Sequence, residues 1–300
     1  GLERALEGLC RQVFNDVDQP LITIVITDNE CSEKTRQICD RAADRCQHNV
    51  HYLQEQQRGI SHARNTCLDN LPADADFVAM IDDDQIPEPE WLNHLLYAQA
   101  RTSADVVTGP TLPVFESKVP AWLPATGYFA KPHQPDCYRN LEPFPPTATC
   151  NVLMRASIFS VDKMRFDPEL AISGSEDKLL FQDMKQRGAQ FIWAEHALTR
   201  ESIPAERAKL GYMLSEALRR GSTKFYVKTK LKTSTRSRQA RLAIRSTIRS
   251  LLGIARHAGY AFLYLFGGQA QKHKAILNLL YAAENIGFLA GIFGYRKQHY

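Results

Sequence analysis

Along the first two hundred positions, apolar residues recur alternately at helical and strand spacing, the pattern of an α/β layer fold. Leu2, Leu6, Leu9 and Val13 share one face of a helix predicted over 2–14. LITIVIT at 21–27 is short, continuous and β-branched, as a buried parallel strand is, and it ends at Asp28-Asn29. A helix over 33–46, a short strand over 51–54 and a helix over 61–71 follow. DFVAMIDDD at 76–84 is a second buried strand that runs straight into three carboxylates. The next helix spans 88–100, with Pro87 and Pro89 at its start, where a missing N–H costs little. After a strand at 105–108, residues 109–146 are rich in Pro and aromatics without a period, and a loop of that length is usually functional. TATCNVLMR at 147–155 returns to the core, 176–187 is an amphipathic helix, and FIWAE at 191–195 is the last strand. Beyond Pro204 the pattern is helical only, which puts a domain boundary near 203.

Composition sharpens this picture through charge. With 300 residues at 44% hydrophobic and 23% charged, the chain is a folded protein, which excludes a disordered tail, a collagen-like repeat and a small disulfide scaffold. The net charge of +4 conceals a split at residue 216: 21 basic and 32 acidic residues precede it, and 16 basic and 1 acidic follow. Seven cysteines without a C-x-x-C pair signal neither a zinc ribbon nor a disulfide framework, and reduced thiols are expected.

The chemistry concentrates on acids. Two unit charges about 4 Å apart interact by roughly 1 kcal/mol in water and about 4 kcal/mol at an effective dielectric near 20, so Asp82-Asp83-Asp84 is self-repelling without a cation. Mg²⁺ suits such a place, taking one or two carboxylates and completing its shell with waters and substrate phosphates. A solvated turn capping the next helix is the plain alternative. Asp28 ends the other apolar strand; if the two strands are parallel neighbours, it lines the same crevice, and otherwise it is a turn former. In RGISHARN at 58–65, Ser61 is a plausible N-cap, and Arg64, in the first helical turn, is either a ligand contact or a surface arginine. Glu176-Asp177 opens a helix, where carboxylates suit the dipole or supply a general base.

IVITDNECSEKT, RGISHARN, DFVAMIDDDQIPEPEWL, TATCNVLMR and GSEDKLLFQDMKQRG occur in the order and at the spacing of glycosyltransferase family 2, which the chain resembles over nearly its whole length. Within it, the chain resembles bacterial exopolysaccharide glucosyltransferases of the succinoglycan type, which share CNxLxR and a GFLAGxxG element, here GFLAGIFG at 287–294. The resemblance implies a GT-A fold, Rossmann-like with a mostly parallel sheet flanked by helices, over 1–203. A basic, apolar, helical region follows over 204–300. It also implies inverting transfer of a sugar, glucose by that likeness, from a UDP-sugar to a lipid-linked oligosaccharide in exopolysaccharide synthesis. On it, Asp28 contacts uracil, Arg64 lies on the nucleotide side, and Asp82 and Asp84 form the D-x-D pair for Mg²⁺ or Mn²⁺, with Asp83 near the ribose. Asp177 is then the base, supported by Glu176. Two departures stand out. The family's first strand would precede Gly1, and a phosphate- or metal-binding His of relatives is replaced by Arg200, with His196 four residues earlier.

The segment 217–249 carries eleven cations and no acid, and LLGIA, YAFLYLF and LLYAA follow or overlap it. That combination points to an anionic membrane surface rather than nucleic acid. The longest run free of Asp, Glu, Lys and Arg is 15 residues, His257 to Gln271, short of the roughly 20 of a perpendicular span, so interfacial attachment is expected. The chain is therefore placed on the cytoplasmic face of a bacterial inner membrane, peripheral or monotopic. A sugar-phosphate nucleotidyltransferase and a non-catalytic membrane adaptor are the rival readings.

Overall fold

Helices α1 (Leu2–Cys10), α2 (Glu33–Arg45) and α3 (Ile60–Asp69) alternate with strands β1 (Thr23–Asp28), β2 (Asn49–Gln54) and β3 (Phe77–Met80), as the hydrophobic periods require. The chain continues through β4 (Gln85–Pro87), α4 (Trp91–Thr102), β5 (Val106–Thr108), β6 (Thr111–Phe115), α5 (Trp122–Thr126), β7 (Val152–Arg155) and α6 (Ser157–Ser160). The last elements are α7 (Glu176–Gln186), β8 (Phe191–Trp193), β9 (Thr199–Ile203), α8 (Leu210–Lys232), α9 (Arg236–Leu265) and α10 (Lys272–Ile292). The computed structural model describes residues 1–129, 138–146, 148–232, 236–268 and 271–298. Cys137 and part of the Pro-rich segment lie outside the described residues.

Two units form. The first comprises Gly1–Val114, Pro132–Ala171 and Glu176–Ser202; the second comprises Phe115–Lys131, Ile172–Ser175 and Ile203–Tyr300.

In the first unit a four-stranded sheet runs β3-β7-β5-β8, with β7 antiparallel to both neighbours and β5 parallel to β8. Successive side chains point to opposite faces. Val106, Val152 and Met154 therefore join one core with Phe181, Met184 and Trp193, while Val107, Leu153 and Ile192 join another with Trp91, Leu95 and Ala98. Burial on both faces is why these strands read as unbroken apolar runs. The sheet is more mixed than the mostly parallel one expected. β1 pairs in parallel with β2, and among the described residues it does not pair with β3.

Other expectations are corrected. β4, β6 and β9 are missing from the sequence reading because strands of three to five residues, several of them polar, carry too few positions to show a period. The helix expected from Glu88 begins at Trp91, since Gln85–Pro87 is used in pairing with Thr199–Glu201. Cys10 and Cys46 form a disulfide between the end of α1 and the residue after α2, so reduced thiols throughout is wrong; their 36-residue separation leaves no local signature.

In the second unit α10 packs against both α8 and α9. Its core gathers Leu123 of α5, Met213 and Ala217 of α8, and Ile276, Leu280 and Ala283 of α10. The GFLAG stretch explains the closeness of α8 and α10. A Cβ at Gly287 would strike the Leu218 carbonyl and one at Gly291 the Ser222 carbonyl, so only small residues allow this approach. Among the described helices α10 is long and apolar enough to cross a membrane, and 44% of its apolar window is buried within the protein.

Candidate active site

The site is built around Arg64. Gly59, at φ 131°, ends the preceding turn and caps α3; a Cβ there would strike the Ala171 backbone, so the residue must be Gly for α3 to approach the 166–171 segment. Ile60 N–H donates to the Ala171 carbonyl, and Gly59 N–H donates to Asn29 Oδ1. With the helix starting at Ile60, Ser61 is inside it rather than its N-cap, and its hydroxyl donates to the Asp167 carbonyl. Arg64 consequently falls in the second turn.

There its guanidinium joins two motifs far apart in the chain. Nη1 donates to Glu176 Oε1 and Nη2 to Asp82 Oδ1, the latter at 3.2 Å. Only 15% of the Arg64 side chain is exposed, with 5% for Glu176 and 39% for Asp82, so the pair at Glu176 is buried and the one at Asp82 opens to solvent. The guanidinium also lies 5.5 Å from the Phe166 ring centroid. Burial works against its charge, but the carboxylates of Asp82, Glu176 and Asp177 outweigh it and raise the Arg64 pKa above the usual value. Of the two alternatives drawn from the sequence, a surface arginine does not describe a cation so engaged.

Asp82, Asp83 and Asp84 follow the end of β3, and the turn closes by Gln85 N–H donating to the Asp82 carbonyl. The Asp84 carbonyl accepts from Ser202 N–H, which fixes the backbone, while Asp83 is exposed. Glu176 and Asp177 occupy the first turn of α7, just after Ser175 at φ 72°. Asp177 is half-buried, and its Oδ1 accepts from Lys178 N–H. Burial first, then the field of Asp82, Glu201 and Asp177, pushes the Cys150 thiol pKa well above its normal range, so these acids share one neighbourhood. Glu201 had no sequence signal, because it lies on the short β9.

Asp28 is placed differently. It is 6% exposed, and its oxygens accept from the N–H groups of Glu30, Cys31 and Ser32 and from the Tyr52 hydroxyl. This is the work of a turn former, and any contact with a ligand would require giving up one of these bonds. Arg200 is ion-paired with Glu88, and His196 stacks at a tilt on His94, 5.7 Å between centroids.

Asn151 ties three segments of the first unit together. Fully buried, its Oδ1 accepts from Trp91 Nε1, and its Nδ2 donates to the carbonyls of Pro110 and Ala197 at 2.8 and 2.7 Å. Asn151→Leu leaves three buried polar groups without these bonds at about 1–3 kcal/mol each, so equilibrium denaturation should show a loss of about 3 kcal/mol or more. A loss under about 1 kcal/mol would show that the clamp carries little.

Among the described residues no group of three or more His, Cys, Asp or Glu could enclose a metal. The donors at hand are the carboxylates of Asp82 and Asp84, hard oxygen ligands on two partly exposed residues. They fit a Mg²⁺-like ion that completes its shell with water and substrate phosphates. The cavity of about 180 Å³ walled by α1 and α2 contains none of these residues.

A family model described as glycosyl transferase family 2 matches residues 1–161. The succinoglycan biosynthesis protein ExoM of Rhizobium meliloti (strain 1021) is 27% identical over 216 residues, 70% of this chain and 66% of its own length. ExoW of the same organism is 34% identical over 107 residues, 35% of this chain and 31% of its own length. The chain thus spans just under two thirds of the one relative and under a third of the other. The crystal structure of S. aureus TarS 1–349 in complex with UDP-GlcNAc is similar with a TM-score of 0.53 at 14% identity, covering 93% of this chain and 86% of that one. The UDP complex gives 0.52. At this identity the likeness is one of fold, and the fold is GT-A.

Proposed function

Because the chain belongs to glycosyltransferase family 2, we propose that it is an inverting, metal-dependent transferase moving a sugar, glucose by its likeness to succinoglycan enzymes, from a UDP-sugar to a lipid-linked saccharide at the cytoplasmic membrane surface during exopolysaccharide assembly. The observation that carries this reading is the Arg64 bridge, which brings the acidic triplet after β3 and the Glu-Asp pair opening α7 onto one guanidinium. Two catalytic functions, donor binding and proton removal, then meet at one place. Membership in the family sets aside the nucleotidyltransferase reading.

Asp177 removes the proton from the acceptor hydroxyl, whose oxygen attacks the anomeric carbon from the side opposite the leaving nucleotide, inverting its configuration. Glu176 and Arg64 are positioning residues that hold Asp177 and Asp82 in register. Asp82 and Asp84 would hold Mg²⁺ or Mn²⁺, which when bound supplies a Lewis-acid counter-charge for the departing diphosphate. Asp83 serves the ribose side, and Asp28 supports the uracil side through the turn that it closes.

The test is release of UDP from UDP-glucose by slow hydrolysis. Release should require a divalent cation, and Asp84→Ala should reduce it by roughly two orders of magnitude, the scale of losing a principal electrostatic stabiliser. Hydrolysis equal in the variant and the parent would remove the acidic triplet from the donor site.

A further inference from the structure

α9 is built inside out. Its buried inner face is small or polar, with Ser246, Ser250 and Ala261, and half-buried Gly253 lies beside them, where a Cβ would collide with the Asn285 side chain of α10. Its outer face exposes Ile248, Leu251, Leu252, Phe262 and Leu263 by 54–67% each, and Phe266 just beyond the helix by 75%. At 100° per residue these six fall in one arc opposite the serines, with Arg245, Arg249 and Arg256 along one flank. A helix packed on a soluble core places its apolar stripe inward. Small residues at the helix contact with large apolar ones outward are the pattern of a helix whose surroundings are lipid.

A second feature adjoins it. Lys224 and Lys228 of α8, Ser246, Arg249 and Ser250 of α9, and Glu284, Asn285 and Phe288 of α10 line a cavity of about 120 Å³. Lys224 is paired with Glu284, and Lys228 lies 4.6 Å from the Phe288 ring centroid. Three cations against one acid, with hydroxyl and amide donors between them, suit a phosphate group.

We propose that α9 lies in the plane of an anionic phospholipid surface, its apolar stripe at the acyl boundary, and that a lipid phosphate enters the basic cavity between α8, α9 and α10 from the arginine flank, where Arg249 borders both the stripe and the cavity. This deepens the membrane location proposed above and rests on it. α10, the helix that hydropathy alone would choose, is then the core of the bundle and α9 the contact with lipid. Charge argues for lipid over a second copy of the chain, which would bring a second row of the same arginines to this face.

The test is co-sedimentation of the whole chain with vesicles of phosphatidylcholine, with and without phosphatidylglycerol. Binding should need phosphatidylglycerol and weaken with salt. Leu252→Asp with Phe262→Asp should lower it at least about tenfold, and Lys228→Gln or Arg249→Gln by about fivefold each, while Ile286→Asp on α10 leaves it unchanged. Circular dichroism confirms that the variants remain folded. Equal binding to both vesicle types, loss through Ile286→Asp instead, displacement by inorganic phosphate well beyond that by chloride at the same ionic strength, or dimerisation abolished by Leu252→Asp would each overturn the proposal. UDP release in vesicle-free buffer, measured on the same variants, keeps this outcome separate from that of the transferase reading.

Discussion

Asp177→Asn is expected to lower UDP release by about a thousandfold while leaving donor binding within roughly a factor of three. The substitution is nearly isosteric. Asp177 Oδ1 accepts from Lys178 N–H at the start of α7, and an asparagine oxygen can accept the same bond, so the first turn keeps its geometry. What disappears is the basic lone pair and its charge. Losing a positioned general base typically costs 10²–10⁴-fold, and a thousandfold corresponds to about 4 kcal/mol of barrier. The split between rate and binding is diagnostic. Equal losses in both would mean that Asp177 serves the donor site, and unchanged release would remove it from the reaction.

Arg64→Met should be the most destabilising change in the site, costing about 3–5 kcal/mol in equilibrium unfolding. Methionine keeps an apolar stem against Phe166 but removes the cation that faces Glu176, whose side chain is only 5% exposed, and Asp82. The cost lies chiefly in the buried carboxylate left behind. Adding Glu176→Gln to Arg64→Met should therefore recover about 1 kcal/mol or more, a non-additivity that separates the bridge from simple packing loss. Strict additivity would show that the two side chains do not act together. Because Asp82 loses its partner too, donor affinity should fall in Arg64→Met even where the variant remains folded.

The parts of this site that are legible in the sequence are the local ones. A β-branched run followed by Asp82-Asp83-Asp84 marks a strand end with its carboxylates, and Glu176-Asp177 at a helix start is visible because the apolar period begins there. Arg64 is legible as a candidate residue but its bridge is not, since its partners lie 18 and 112 positions away and only the packing of α3 brings them together. Asp28 is left by the sequence between a ligand contact and a turn former, and the turn is seen only from the three backbone donors and the Tyr52 hydroxyl around it. Asn151 lay within the CNVLMR stretch without a visible task, because its three partners come from α4, the segment after β5 and the turn before β9. The Cys10–Cys46 pair likewise depends on which surfaces meet, which composition does not encode, whereas the apolar stretches LLGIA and YAFLYLF along α9 are visible in the sequence and only their outward direction is not.

The central claim, that Arg64 gathers a donor site for a UDP-sugar, is tested most directly by calorimetric titration of the chain with UDP-, GDP- and dTDP-sugars in the presence of Mg²⁺ or Mn²⁺. The account predicts binding of a UDP-sugar in preference to the others, lost on chelation of the metal and weakened in Arg64→Met. Absence of binding to every UDP-sugar in the folded chain, or binding indifferent to both metal and Arg64, would contradict it and favour a non-catalytic adaptor built on the same fold.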